Sequence, residues 1–218
     1  ALKYLDVRPQ KLHVVHSGAH DCFRQPVSVA AQQALKARLN LPERFVIFVG
    51  ALYPPKNFSR LLQAYAASGP DRGFHLVVAG GTERFLAAHD VELSNKLGLQ
   101  DWVHSVGWLA QEDLPTLYSM ATGMVMPSLY EACPLPLIEA MAAGCPIVTA
   151  DRYGSAELAG DAAVLVDPES VESIATGIGR LLDDATLRSE LVARGRRRSA
   201  PMTWENTARR TLQVLEAL

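Results

Sequence analysis

Phe45-Val46-Ile47-Phe48-Val49 is apolar at every position and leads straight into Gly50-Ala51-Leu52-Tyr53-Pro54-Pro55-Lys56-Asn57. A strand with one wet face alternates apolar and polar residues, so an unbroken apolar run of this length predicts a strand covered on both faces, as in a parallel sheet. Comparable runs predict further strands at residues 11–15, 74–79, 102–106, 123–126, 146–149 and 162–166. Between them apolar residues recur at three- and four-residue spacing: Leu61, Leu62 and Tyr65; Leu86, Leu93 and Leu97; Leu114, Leu117 and Tyr118; Ile138 and Met141; Ile174, Ile178, Leu181 and Leu182. That period predicts amphipathic helices. Strand then helix, repeated about six times, predicts an α/β fold built on a Rossmann-like, doubly wound parallel sheet over residues 25–182. Residues 183–218 carry no strand pattern and read as two helices split near Pro201.

Composition agrees with this reading. The chain has 218 residues, 49% of them hydrophobic, enough for the core of one large domain. Its 21 Lys and Arg against 23 Asp and Glu give a net charge of -2, which argues against a protein whose main task is to neutralise nucleic-acid phosphates. No stretch reaches the roughly 20 apolar residues that span a bilayer, and no basic segment followed by an apolar signal core opens the chain. Cys22, Cys133 and Cys145 are odd in number and lack CxxC spacing. They read as reduced thiols and predict a cytoplasmic location.

Doubly wound sheets bind ligands at the carboxyl ends of their strands, which here lead into Gly50, Gly80-Gly81-Thr82, Gly107 and Pro127-Ser128-Leu129-Tyr130-Glu131. Glu131 and Glu139 flank Ala132-Cys133-Pro134-Leu135-Pro136-Leu137-Ile138. A helix starting near Pro134 or Pro136 sets Glu131 on the preceding loop and Glu139 in the early turns. Its N-terminus offers unpaired N–H groups and about half a positive charge to a phosphate, and the carboxylates can accept from sugar hydroxyls. On composition alone, acidic residues complementing a helix dipole and an ordinary exposed Lys56 explain the same pattern.

The run from Ser128 through Glu131, Pro134 and Glu139 to Gly144-Cys145-Pro146-Ile147-Val148 resembles the donor-site signature of retaining glycosyltransferases of family 4, which have the GT-B fold. The loop Gly50 to Asn57 is similar to that family's basic loop. Val106-Gly107-Trp108-Leu109 with Leu114 to Tyr118 is similar to its base-side segment, and Gly160-Asp161 to Asp167-Pro168 also fits. The resemblance is to the C-terminal, nucleotide-sugar donor half alone, and implies one half of a GT-B glycosyltransferase without its N-terminal acceptor domain. Residues 1–24 then resemble the segment by which the chain enters this half, and Trp204 with the last helix the element that crosses back.

The resemblance implies a role for each matching residue. Glu139 would accept the ribose hydroxyls, and Glu131 would lie beside the transferred sugar. Backbone at Ala132, Cys133 and Leu135 would meet the sugar or the diphosphate. Gly50 and Lys56 would line the diphosphate, the lysine stabilising charge that develops on the leaving group. Glu131 and Lys56 are thus the catalytic candidates, and Gly50, Lys56, Ala132, Cys133, Leu135 and Glu139 the donor-binding ones. No metal or other cofactor is obligatory in the implied reaction. The substrate would be a nucleoside-diphosphate sugar, GDP-mannose-like or another hexose donor, and the acceptor a glycan or lipid-linked sugar in polysaccharide biosynthesis.

Two departures stand out. A second basic residue of the family's loop is replaced by Ala51 or Pro55, with Arg152 as a candidate substitute, and the usual Glu-Gly-Phe-Gly reads Glu131-Ala132-Cys133-Pro134. They keep open the alternative of a non-catalytic nucleotide-sugar binding or interaction module. His13, His16 and His20 lack the companions of a metal site. The cluster Arg194 and Arg196 to Arg198 fits either a peripheral contact with acidic lipid at the inner face of a membrane or a basic helix end offsetting its own dipole.

Overall fold

The computed structural model describes residues 8–80 and 88–217; Gly81, Thr82 and Leu86, singled out above, lie outside the described residues. Among those described, six strands form one parallel sheet: β1 (Phe45–Val49), β2 (His75–Ala79), β3 (Val103–Gly107), β4 (Gly123–Met126), β5 (Ile147–Ala150) and β6 (Val164–Val166). Their order is β3-β2-β1-β4-β5-β6. The chain winds outward from β1 to β3, returns to the other side of β1 as β4, and winds outward again. The crevice between the carboxyl ends of β1 and β4 is therefore the topological switch point, where sheets of this kind hold ligands.

Helices α1 (Val29–Leu39), α4 (Leu114–Met120), α5 (Leu135–Ala143) and α6 (Tyr153–Ala159) belong to one layer, and α2 (Phe58–Ala66) and α7 (Val171–Asp183) to the other. Successive strand residues face opposite layers. Phe45, Ile47 and Val49 pack with Tyr118, Leu137 and Ile138, while Val46 and Phe48 pack with Leu61, Leu62 and Ile178. All five positions of β1 are buried, which is the physical cause of its unbroken apolar run. Each fully buried side chain of this size contributes about 1.5–3 kcal/mol. The α3 helix (Ala88–Lys96) follows β2, and α8 (Ala185–Ser199) and α9 (Trp204–Glu216) close the chain.

The structure corrects one predicted strand. Residues 11–15 pair with no strand; Pro9–Lys11 forms a 3-10 turn, and the chain then runs along α9. The Val14 carbonyl accepts from Arg210 at 3.3 Å and the His16 carbonyl from Thr207 Oγ1 at 2.8 Å, so side chains of α9 take the place of a ladder. Val14 is 65% exposed, and the run lacks the two-sided cover that makes a strand. Two helices escape the periodicity: α1 buries only Leu35 and shows no apolar stripe, and α6 is seven residues long.

The basic cluster of α8 serves the fold. Arg198 donates to the carbonyls of Leu158 and Glu157 at the end of α6, and Arg194 to that of Asp161. The Arg196 guanidinium lies where a Cβ on Gly144, the left-handed residue ending α5, would come within 2.8 Å. These arginines offset the carbonyl ends of α5 and α6 rather than only the dipole of their own helix.

Candidate functional site

The switch point is built from short, sterically fixed turns. Gly50 N–H donates to Ala79 O at 2.9 Å and Gly80 N–H to Gly107 O at 2.8 Å, extending the ladder past the strand ends. Gly80 has φ 112°, and a Cβ there would lie 2.5 Å from Gly50 O. Its glycine is thus explained by the contact of two backbones. After Gly50 the loop turns through a 3-10 segment, Pro54–Lys56, and is tied to the loop after β4 by Leu129 N–H donating to Pro55 O at 2.8 Å.

On that frame Lys56 and Glu131, 75 residues apart in sequence, meet: Nζ lies 2.5 Å from Oε1, with the side chains 18% and 12% exposed. Glu131 is held from behind. Its carbonyl accepts from Gly154 N–H at 2.9 Å, and a Cβ at Gly154 would fall 2.2 Å from the Ala132 carbonyl oxygen. The pair is a cation and an anion facing each other at the switch point, each drawn out of water and neutralising the other.

Past Glu131, Ala132 is exposed and Cys133 half-buried, and α5 begins at Leu135 with Pro134 as its cap. Leu137 N–H is used on Pro134 O at 3.1 Å, and prolines 134 and 136 have no N–H. Leu135 therefore supplies the remaining first-turn amide, at the positive end of the helix dipole.

Glu139 is the fifth residue of α5 and half-buried. Tyr118, fully buried on α4, donates its hydroxyl to Glu139 Oε2 at 3.3 Å, with Pro136 O at 3.4 Å as a second acceptor. Burial pushes the Glu139 carboxyl above the usual carboxylate range, and the bond from Tyr118 works in the opposite direction. Burial, then the Glu139 charge, hold the Tyr118 phenol protonated well above its ordinary value. A carboxylate kept from water with one weak donor can take further hydroxyl donors.

Arg152 is engaged elsewhere, contacting Asp151 at 3.0 Å, Asp167 at 2.6 Å and Glu169 at 2.9 Å. Three acids surround one guanidinium, so it supplies no net positive charge. His16 pairs with Glu157 at 2.8 Å, and His20 accepts from Cys22 N–H. Among the described residues no group of three or more His, Cys, Asp or Glu comes together as a set of metal ligands.

Sequence reasoning passed over three participants. Tyr118 falls in the helix stripe and the base-side segment but is given no role of its own, Gly154 shows no pattern, and Asn57 only closes the basic loop, although its amide reaches carbonyls 70 and 111 residues away. The exposed rings of Tyr130 and Tyr153 also meet edge to face, 5.2 Å apart, beside the Glu131 loop.

A parallel sheet in this order, its helices on both faces, has the Rossmann-like α/β fold seen in GT-B glycosyltransferases. The family Glycosyl transferases group 1 matches residues 31–198, more than half of the chain, and the chain belongs to that family. It is similar to O-antigen chain mannosyltransferase B of Escherichia coli, 33% identical over 80% of this chain and 46% of that protein. It is also similar to MMP alpha-(1->4)-mannosyltransferase of Mycolicibacterium hassiacum, 32% identical over 96% of this chain and 49% of that one. Among solved structures, sucrose-phosphate synthase of Thermosynechococcus elongatus superposes with a TM-score of 0.79 at 29% identity, covering 94% of this chain and 52% of that one. Anabaena HepE in complex with UDP-glucose superposes at 0.85 with 21% identity, covering 98% and 59%. The chain spans about half the length of the curated relatives it matches.

Proposed function

We propose that this chain is the donor-binding half of a retaining glycosyltransferase that takes a hexosyl unit, in the first instance mannosyl, from a nucleoside-diphosphate sugar. The observation that carries the proposal is the Lys56–Glu131 pair at the switch point, 2.5 Å apart beside the N-terminus of α5, with Glu139 inside that helix. In this reading the diphosphate takes over Lys56 from Glu131 and meets the Leu135 amide, and Glu139 accepts the ribose hydroxyls. The freed Glu131 accepts from the hydroxyls of the transferred sugar. Lys56 contributes most as the glycosidic bond breaks, because charge then develops on the diphosphate oxygen and a fixed cation needs no reorganisation to meet it. The names of the two mannosyltransferase relatives support mannose as the sugar. A glycan or lipid-linked acceptor would be held by a further domain, since those relatives are about twice as long. A cytoplasmic location belongs to the same proposal and is supported by Cys22, Cys133 and Cys145 all being free thiols. No helix among the described residues is long and apolar enough to cross a membrane.

One set of observations favours a second reading, a module that binds a nucleotide sugar without turning it over. Arg152 is enclosed by three acids, Ala51 and Pro55 supply no second cation, and two prolines remove amides from the mouth of α5. Thermal unfolding with GDP, UDP, ADP and dTDP tests the binding common to both. At 100 times its dissociation constant a ligand stabilises by about 2.7 kcal/mol, or about 5–10 °C in a domain of this size. Protection by one of the four is expected, and protection by none overturns the proposal. Hydrolysis or transfer from the matching nucleotide sugar by this chain joined to an acceptor domain then separates the readings: release of sugar supports the enzyme, and binding without release supports the module.

A further inference from the structure

We infer that Asn57 is the positioning residue for Lys56. The inference rests on the donor-site reading and adds to it a residue that touches neither sugar nor phosphate. Asn57 follows Lys56 directly, is 5% exposed, and adopts a left-handed conformation with φ 61° and ψ 33°. Glycine, asparagine and aspartate tolerate that region; other side chains are strained in it. It is also the residue preceding α2, a place where asparagine ordinarily turns its side chain onto the first amides of the helix for about 1 kcal/mol. Here it makes no such bond.

The side chain is used elsewhere. Nδ2 donates to Pro127 O at 2.9 Å and Pro168 O at 2.6 Å, and Oδ1 accepts from Arg60 Nη1 at 2.9 Å. Pro127 follows β4 and Pro168 lies beyond β6, so one amide joins the loop carrying Lys56 to the loops leaving two other strands. Two N–H donors aimed at two carbonyls, an acceptor for a guanidinium and a left-handed backbone together specify asparagine. Glycine meets only the backbone requirement, and aspartate loses both donors. Because the loop after β4 also carries Glu131, Asn57 fixes the backbone next to the cation relative to the strand that presents its anion. The distance from Lys56 to an incoming diphosphate is set by this tie rather than by the lysine's own long stem.

The test compares wild type with Asn57→Gly, which keeps the backbone conformation and removes all three side-chain bonds. The tightest-binding of GDP, UDP, ADP and dTDP and its own monophosphate are titrated by calorimetry. Lys56 in place makes the diphosphate the tighter ligand. The positioning role predicts that Asn57→Gly reduces that diphosphate-to-monophosphate ratio about fivefold or more while changing the monophosphate constant less than twofold. In a Lys56→Ala background Asn57→Gly should have no further effect on the ratio. Equal weakening of both ligands, or an undiminished effect without Lys56, overturns the inference and leaves the donor site standing; a wild type that binds no nucleotide overturns both. If Asn57→Gly fails to fold, Asn57→Asp keeps the acceptor for Arg60 and the left-handed tolerance and replaces the two donors by a carboxylate. The positioning role predicts the same fall in the ratio and its disappearance in the Lys56→Ala background, whereas a fall that persists there is a charge effect and overturns the inference.

Discussion

Two pairs of charged groups at opposite ends of the sheet are held in different ways. At the amino end the Arg72 guanidinium grips both oxygens of Asp183 at 2.9–3.0 Å, which raises the arginine pKa and lowers that of the aspartate. Arg44 lies 3.9 Å above the Phe74 ring, and His75 stacks on Trp102. Arg72 and Asp183 are each eased toward the ionised state by the other. At the carboxyl end Glu139 is pushed away from its ionised state by burial, with only one hydrogen bond against that push. Lys56 and Glu131 are shielded from water with each other as partners. The Arg72–Asp183 pair serves the protein's own stability. Glu139 and the Lys56–Glu131 pair are partly removed from water at a place a guest can reach, and a buried carboxyl such as Glu139, shifted by burial, is the kind of group that concentrates at functional sites.

Substitutions at each end sharpen the contrast. Lys56→Ala should have the largest effect, removing a charge-assisted contact worth about 1.5–3 kcal/mol and weakening nucleoside-diphosphate binding about 10–150-fold in a calorimetric titration. A loss confined to a factor of two would move the diphosphate away from the switch point. Glu131→Ala should act in the reverse direction on the same ligand: with the anion gone, Lys56 is released and the free diphosphate binds several-fold tighter, even as sugar transfer is lost. A weaker diphosphate complex would show that the pair does not compete with the ligand.

Glu139→Gln should raise the unfolding midpoint of the unliganded protein near pH 7. The folded-state pKa of Glu139 lies above its unfolded value, so the folded protein holds the proton more tightly and stability falls as pH rises through that window. The gain from Glu139→Gln should accordingly shrink as pH drops below the usual carboxylate range, which a pH series of thermal scans would display. The smallest effect is expected at the far end. Asp183→Asn should lower the midpoint slightly at neutral pH and leave nucleotide affinity unchanged. Because the Asp183 pKa is depressed in the folded state, its contribution is present above the ordinary carboxylate pKa and lost as pH falls through the folded value.

The contrast between the ends also marks how far the sequence could be read. β1 was legible because both its faces are buried, and the wide apolar stripes of α2 and α7 were legible for the matching reason. Residues 11–15 imitate a strand in composition, yet no sheet edge receives them and α9 takes their carbonyls. The α1 helix has no stripe to find; its ends are set by Ser28, which accepts from Ala31 N–H, and by left-handed Asn40. At the candidate site Lys56, Glu131 and Glu139 were accessible through the order of motifs along the chain. Tyr118 and Asn57 were not, because what distinguishes them is which distant atoms they touch. A hydroxyl that meets a carboxylate 21 residues on, and an amide that meets carbonyls 70 and 111 residues on, leave no trace in local spacing.

The central claim is that Glu139 grips the ribose of a nucleoside diphosphate docked at the mouth of α5. Calorimetric titration of wild type and Glu139→Ala with the best-binding of GDP, UDP and ADP and its 2′,3′-dideoxy analogue addresses it directly. The account predicts that loss of the two hydroxyls weakens wild-type binding about tenfold or more, and that Glu139→Ala binds both compounds equally. Equal affinity of the wild type for the two, or an undiminished preference in Glu139→Ala, would contradict it.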